Sequence, residues 1–177
     1  MTEFDFSATQ AVAEKEYNLG KGEYFKPQEG ANRVRLVSVC LPHESSFKGQ
    51  KNFKWLCQIL DRKDGKVKPY FMPHTIYGFI RDLQLDPDYA FKEIPMPFDI
   101  TINATGAGTK EVKYSLTPAR ENKPLTTEEQ NLVTESPTVQ ELQKRVLESE
   151  SKKEDETPQQ PEDTVNEPPL NTEDIPF

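Results

Sequence analysis

The chain has 177 residues, 22 Lys and Arg against 30 Asp and Glu, a formal net charge of −8, 34% hydrophobic residues and a mean hydropathy of −0.79. That length holds one domain with a core, yet the composition is too polar for the whole chain to be packed. Two cysteines exclude a disulfide framework and fit a reducing compartment. No apolar run approaches a membrane span, and the N-terminus, with Glu3 and Asp5, lacks the cationic start of a secretory signal. A cytoplasmic location, bacterial or in a host cell, with no membrane partner is therefore expected.

The charge is unevenly spread. Up to Arg120 there are 17 Lys and Arg against 15 Asp and Glu, a net of +2; from Glu121 onward there are 5 against 15, a net of −10. Every aromatic residue except Phe177 lies at or before Tyr114, so the last third of the chain has no means of building its own core.

Residues 1–30 read as an N-terminal arm packed on the domain edge, with a short helix capped by Ser7 and then broken by Gly20, Gly22, Pro27 and Gly30. From Ala31 a first strand sets Val34 and Leu36 against Arg33 and Arg35, and Pro42 ends it. Two further strands, near Lys51–Arg62 and Lys66–Met72, are joined at Asp64-Gly65, a strong hairpin signal. In the next segment Ile76, Phe79, Ile80 and Leu83 fall on one stripe of a short helix with Thr75 as N-cap. After Pro87, Pro95 and Pro97, strands are predicted near Phe98–Ala104 and Glu111–Thr117, turning at Gly106-Ala-Gly108.

Three strands, a helix and two strands is the element order of the five-stranded OB barrel, predicted here for residues 31–120 as a mainly β domain. Residues 121–148 read as a polar linker with one helical stretch, capped by Ser136 with Pro137 at its first position, and carrying Val139, Leu142 and Val146 on one side. From Ser149 the chain is acidic, proline-rich and without rings until its end. Residues 149–177 are thus expected to be a disordered tail.

The central hairpin carries the chemistry. Lys48, Lys51, Lys54, Arg62, Lys63, Lys66 and Lys68 are interleaved with Phe47, Phe53, Trp55, Tyr70 and Phe71, cations for phosphates and flat rings for unpaired bases. The predicted single-stranded DNA contacts are Arg33 and Arg35 on the first strand, Lys51, Phe53, Lys54 and Trp55 on the second, and Lys66, Lys68 and Tyr70 on the third. Trp55 faces the nucleic acid if Leu56 and Leu60 face the core. An ordinary half-buried hairpin with solubilising lysines is the plainer alternative.

Cys40, His43, Cys57 and His74 are all possible zinc ligands, but only the first two are closely spaced, so no metal or other cofactor is expected. Asp82, Asp86 and Asp88 read as solvated acids, and no catalytic constellation is visible. The chain ends Asn-Thr-Glu-Asp-Ile-Pro-Phe. In this it resembles the bacterial and phage single-stranded DNA-binding proteins, whose OB domain is followed by a linker and a tip of aspartates before Ile-Pro-Phe. Asp174, Ile175, Pro176 and Phe177 match that tip, whereas Glu173 and Thr172 stand where the family usually has aspartates. The resemblance implies a non-enzymatic protein that binds single-stranded DNA during replication, recombination or repair and recruits partner enzymes through Phe177 and its carboxylate. The competing expectation is an OB-fold protein-interaction adaptor, or an RNA-binding protein, with an acidic recruitment tail.

Overall fold

Residues 24–155 are described in a computed structural model. Six strands, β1 (Gly30–Leu36), β2 (Leu41–Phe47), β3 (Gln50–Asp61), β4 (Lys66–Met72), β5 (Ile100–Thr105) and β6 (Lys113–Pro118), are accompanied by helices α1 (His74–Leu85), α2 (Thr127–Glu135) and α3 (Val139–Asp155). Every strand pair is antiparallel. The chain is mainly β, as its alternating apolar residues require.

β3 is the spine. Along one edge its outer half pairs with β2, from Phe47↔Gln50 to Leu41↔Leu56, and its inner half with β1, from Leu36↔Ile59 to Val34↔Asp61. Four residues, 37–40, thus stand opposite Cys57 and Gln58, a bulge whose backbone groups are nonetheless used. Val37 N–H donates to the Gln58 carbonyl (3.1 Å), and Gln58 N–H to Ser38 Oγ (2.7 Å). β4 covers the other edge of β3, and β5 and β6 follow β1. The sheet is an open path, β2-β3-β1-β5-β6, with β4 on the far edge of β3, and among the described residues no ladder joins β4 and β6. Instead Phe25 N–H donates to the Pro69 carbonyl on β4 (2.8 Å), and the Phe25 ring sits edge-on to Tyr70. The end of the predicted arm therefore does pack on the domain edge, occupying part of a bare strand. Residues 1–23, with the helix predicted after Ser7, lie outside the described residues.

Five strands were expected and six are present among the described residues; β2 is the addition. Pro42 does not stop the chain but pairs opposite Trp55, because β2 is an edge strand and a missing N–H on its outer side leaves no ladder bond unmade. The β2–β3 turn is the pair Lys48-Gly49, both with positive φ (50° and 77°), the backbone of a tight hairpin connection. The Asp64-Gly65 hairpin stands as expected, with Gly65 at φ 69° and Asp61 opposite Lys66.

The main core lies between the sheet and α1. Val34, Leu36, Cys57, Ile59, Ile76 and Ile102 are all buried in it. α1 begins one residue before Thr75, at His74, and Pro73 occupies the cap position with no side-chain hydrogen bond. Its stripe is as predicted in Ile76 and Ile80, which are buried.

The region after residue 120 holds more structure than its polarity suggests. α2, not predicted, starts with a capping box in which Thr126 accepts from Glu129 N–H and the Glu129 carboxylate accepts from Thr126 N–H. α3 is capped by Thr138 with Glu141 in the same manner, so Ser136 and Pro137 precede it and do not begin it. It runs to Asp155, and residues 149–155, expected to be disordered, are helical. Val139 and Leu142 explain why it docks. They close over Leu56 on the face of β3 opposite the main core, with Leu41 and Phe71 at the margin. Two buried aliphatic side chains contribute roughly 1.5 to 3 kcal/mol each. Gln58 Nε2 donating to the Pro137 carbonyl (2.7 Å) and Gln143 Nε2 donating to the Pro42 carbonyl (2.9 Å) fix the register. Residues 156–177 lie outside the described residues, including the tip at Asp174–Phe177.

Candidate nucleic-acid interface

Strand alternation sends Phe53, Trp55, Cys57 and Ile59 to one side of β3 and Lys54, Leu56, Gln58 and Leu60 to the other. The condition placed on Trp55 does not hold as framed. The main core is on the Cys57 and Ile59 side, the same side as Trp55, while Leu56 is buried beneath α3 on the reverse. β3 is buried on both faces along its inner half and emerges only at its outer half, where residues 50–53 are exposed. Trp55 stands at that boundary, half-buried against the core rim, and Phe53 lies beyond it, 44% exposed.

A compact set of rings results. Trp55 stacks on Tyr77 of α1 with centroids 3.9 Å apart and planes 11° from parallel. Phe53 meets Trp55 edge-on at 5.2 Å. His74 stacks beside both Trp55 and Tyr77, and its Nδ1 accepts a hydrogen bond from Trp55 Nε1 (3.2 Å). That bond assigns the proton on His74 to the other ring nitrogen when the residue is neutral. Sheet and helix are brought together here because α1 starts two residues after Met72, which pairs with Trp55. Tyr77 and His74 were not predicted as contacts. The signal available for Tyr77 was its place one residue beyond Ile76, just off the apolar stripe.

Two predicted contacts are corrected. Tyr70 is 2% exposed and belongs to the main core, where it packs against Phe25, so it offers no face to a base. Burial is the chief reason its hydroxyl is pushed far above the ordinary tyrosine range, with neighbouring Cys57 and Tyr114 adding to the effect. Arg35 is 1% exposed; its Nε donates to Asp99 Oδ1 (2.7 Å) and its Nη1 to the Lys123 carbonyl. A guanidinium sealed in this way has no route to a phosphate.

The remaining cations are largely matched by acids. Asp99 also takes Arg33 Nε (3.0 Å) and Arg62 Nη2 (3.0 Å), and Arg62 reaches Glu129 at the start of α2. Burial alone would raise the Asp99 carboxyl, but the hydrogen bond from Arg62 and the charges of Arg35 and Arg62 hold it below the usual carboxylate range. Lys68 bridges Asp61 and Asp64, and Lys51 pairs with Glu44 (2.8 Å) while staying almost fully exposed. Arg33 is exposed over 60% of its side chain and Lys66 is exposed at the start of β4. Lys54 is half-buried on the face opposite Trp55 and meets no carboxylate among the described residues. The structure thus gathers Phe53 and Trp55 with Tyr77 and His74, puts Lys51 next along β3, and leaves Arg33 and Lys68 in a separate ionic cluster at the inner end of the hairpin.

The four possible zinc ligands do not converge. Cys57 Sγ donates to the Tyr70 carbonyl (3.6 Å) in the core, His43 lies on the opposite face against Phe71 with Nε2 3.3 Å from Glu150 Oε1, and His74 belongs to the ring cluster. No helix among the described residues is long and apolar enough to cross a membrane. No protein-family model matches the chain, and neither curated proteins nor solved structures give a match, so function has to be argued from its own residues.

Proposed function

We propose that this protein binds single-stranded nucleic acid, DNA in the first instance, by stacking unpaired bases on Phe53 and the Trp55–Tyr77 pair while Lys51, next along the same face of β3, attracts the backbone. The observation that carries the proposal is the ring cluster at the open end of β3. Four flat side chains from two elements stand together at the rim, one of them nearly half exposed, where scattered apolar exposure would be unremarkable. Because every base has a flat face, such a site is largely indifferent to sequence. The connectivity supports an OB-like reading of the domain. If β1 and β2 are taken as one strand broken by the 37–40 bulge, the order strand, strand, strand, helix, strand, strand and the pairing of β1 with both β3 and β5 are those of that barrel, with Phe25 standing in part of the seam that a closed barrel would zip. The Asp174-Ile175-Pro176-Phe177 tip then serves as the recruiting element for replication, recombination or repair enzymes, a compact ring-plus-carboxylate anchor steered by acids.

A second reading, an adaptor whose ring cluster takes a protein partner, is favoured by one observation: Lys51, Arg62 and Lys68 of the hairpin are already paired with acids. Salt dependence separates the two. Titrating the full chain with oligo-dT should quench Trp55 fluorescence, and log K should fall with log salt at about 0.7 per phosphate contacted. Absent quenching removes the proposal; quenching by a protein partner and not by oligo-dT or oligo-U establishes the adaptor.

A further inference from the structure

At the free edge of β4, away from the ring cluster, lies a cleft of about 400 Å³ between the arm residues 24–27, β4 and the β5–β6 turn. Its size is at the lower end of the range for small-ligand sites. Its lining is unusual for this chain. Tyr24 stacks on Phe71 with centroids 5.3 Å apart and keeps 39% of its surface exposed; Tyr114 contributes a third, half-buried ring. Lys26 and Lys54 also line the cleft, and neither meets a carboxylate among the described residues. Lys63, Lys92 and Lys113 likewise meet no carboxylate among the described residues, so what marks this place out is that two such ammonium groups stand around rings. Unmatched cations beside a ring platform are what a phosphate with its base would complete.

We infer that this cleft is a second nucleotide subsite, in which one base of the bound strand lies on the Tyr24–Phe71 platform towards Tyr114 and the adjoining phosphate meets Lys26 and Lys54. This rests on the single-strand reading above and extends it. Pro73, which lines the cleft, is followed directly by His74 of the ring cluster, so the strand crosses the end of β4 from one site to the other. The subsite also gives the arm a role, since Tyr24 and Lys26 come from it and flank Phe25, the residue bonded to the free edge of β4.

Photo-crosslinking of the full chain with oligo-dT carrying 5-iodouracil at single positions, followed by peptide mass spectrometry, tests the inference. Adducts are expected on Tyr24, Phe71 or Tyr114 at iodouracil positions different from those that label Phe53 or Trp55. The double variant Lys26→Gln, Lys54→Gln should lower the salt slope by about 0.7 to 1.4, one or two phosphates, and Tyr24→Ala should weaken long oligonucleotides several-fold while sparing those too short to span both sites. Circular dichroism and thermal unfolding of each variant establish that the fold is kept, and both lysines are replaced by an uncharged residue of similar length for that reason. Trp55 quenching with adducts confined to Phe53 and Trp55, and an unchanged salt slope in the double variant, would overturn the subsite while leaving the first site standing. Loss of Trp55 quenching altogether would remove both. Crosslinking of residues 156–177 into the cleft that DNA fails to displace would assign it to the tail and also overturn the inference.

Discussion

Replacing Phe53 with alanine separates binding from folding more cleanly than any other change in the ring cluster. Phe53 is 44% exposed, lies outside the main core, and meets Trp55 at 5.2 Å and His74 at 6.4 Å, both edge-on. A half-exposed ring forfeits at most part of the burial that a core phenylalanine would lose, so unfolding free energy should drop by about 1 kcal/mol or less. Stacking on a base is worth roughly 1 to 3 kcal/mol, which converts to about a 5- to 150-fold weaker Kd for oligo-dT at fixed salt. The removed ring carries no charge, so the salt slope should not change. Fluorescence anisotropy of labelled oligo-dT from low to moderate salt, alongside urea unfolding, measures all three quantities. An unchanged Kd, or a Kd loss matched by an equal loss of stability, would refute the assignment of Phe53 to a stacking surface.

The other predictions probe the scaffold. Asp99→Ala leaves Arg35 buried without its partner and should destabilise the fold by about 3 to 5 kcal/mol in chemical denaturation; a loss under 1 kcal/mol would show that the cluster adds little. Because the Asp99 carboxyl is held below its unfolded value, its stabilisation is complete above the unfolded carboxylate range and is lost as pH falls through the folded value. Wild-type stability should thus decline below about pH 4, and the part of the decline due to Asp99 should vanish in the variant. Leu142→Ala removes a buried contact of α3 with Leu56 and should raise hydrogen exchange across 139–155 with little change in β3 amides paired to β4; equal loss in both would show that helix and sheet unfold together. Cys40, partly exposed and with its thiol lowered by neighbouring Cys57, should be alkylated well before the buried Cys57, whose thiol burial pushes up; simultaneous labelling would contradict the geometry.

Much of the sheet was legible because its signals are local. The alternation in residues 50–61 and 66–72, the Asp64-Gly65 turn and the Ile76 and Ile80 stripe each follow from a few neighbouring residues, and each is present. Two helix starts are marked just as locally. Thr126-Thr-Glu-Glu129 and Thr138-Val-Gln-Glu141 are both capping boxes, and they mark the starts of α2 and α3. Lys48-Gly49 is a two-residue turn without the Asn or Asp that usually marks one in a sequence. A proline excludes a central strand and leaves an edge strand open, and which of these applies depends on what lies beside it.

The candidate site was legible in its residue types and not in its arrangement. Trp55 and Phe53 were identified as rings beside cations, yet nothing local distinguishes them from Tyr70, which pairs across from Cys57 and is sealed in the core. The sequence by itself determined where strands and turns form and which side chains share a face of a strand, because those depend on backbone sterics and a period of two. Only the tertiary structure decided which face is covered and which charge is spent. Asp99 stands 64 residues from Arg35, and α3 reaches back to bury Leu56 from more than 80 residues on. Burial and ion pairing are sums over neighbours in space, so a cation's availability is fixed by acids that the local sequence does not contain.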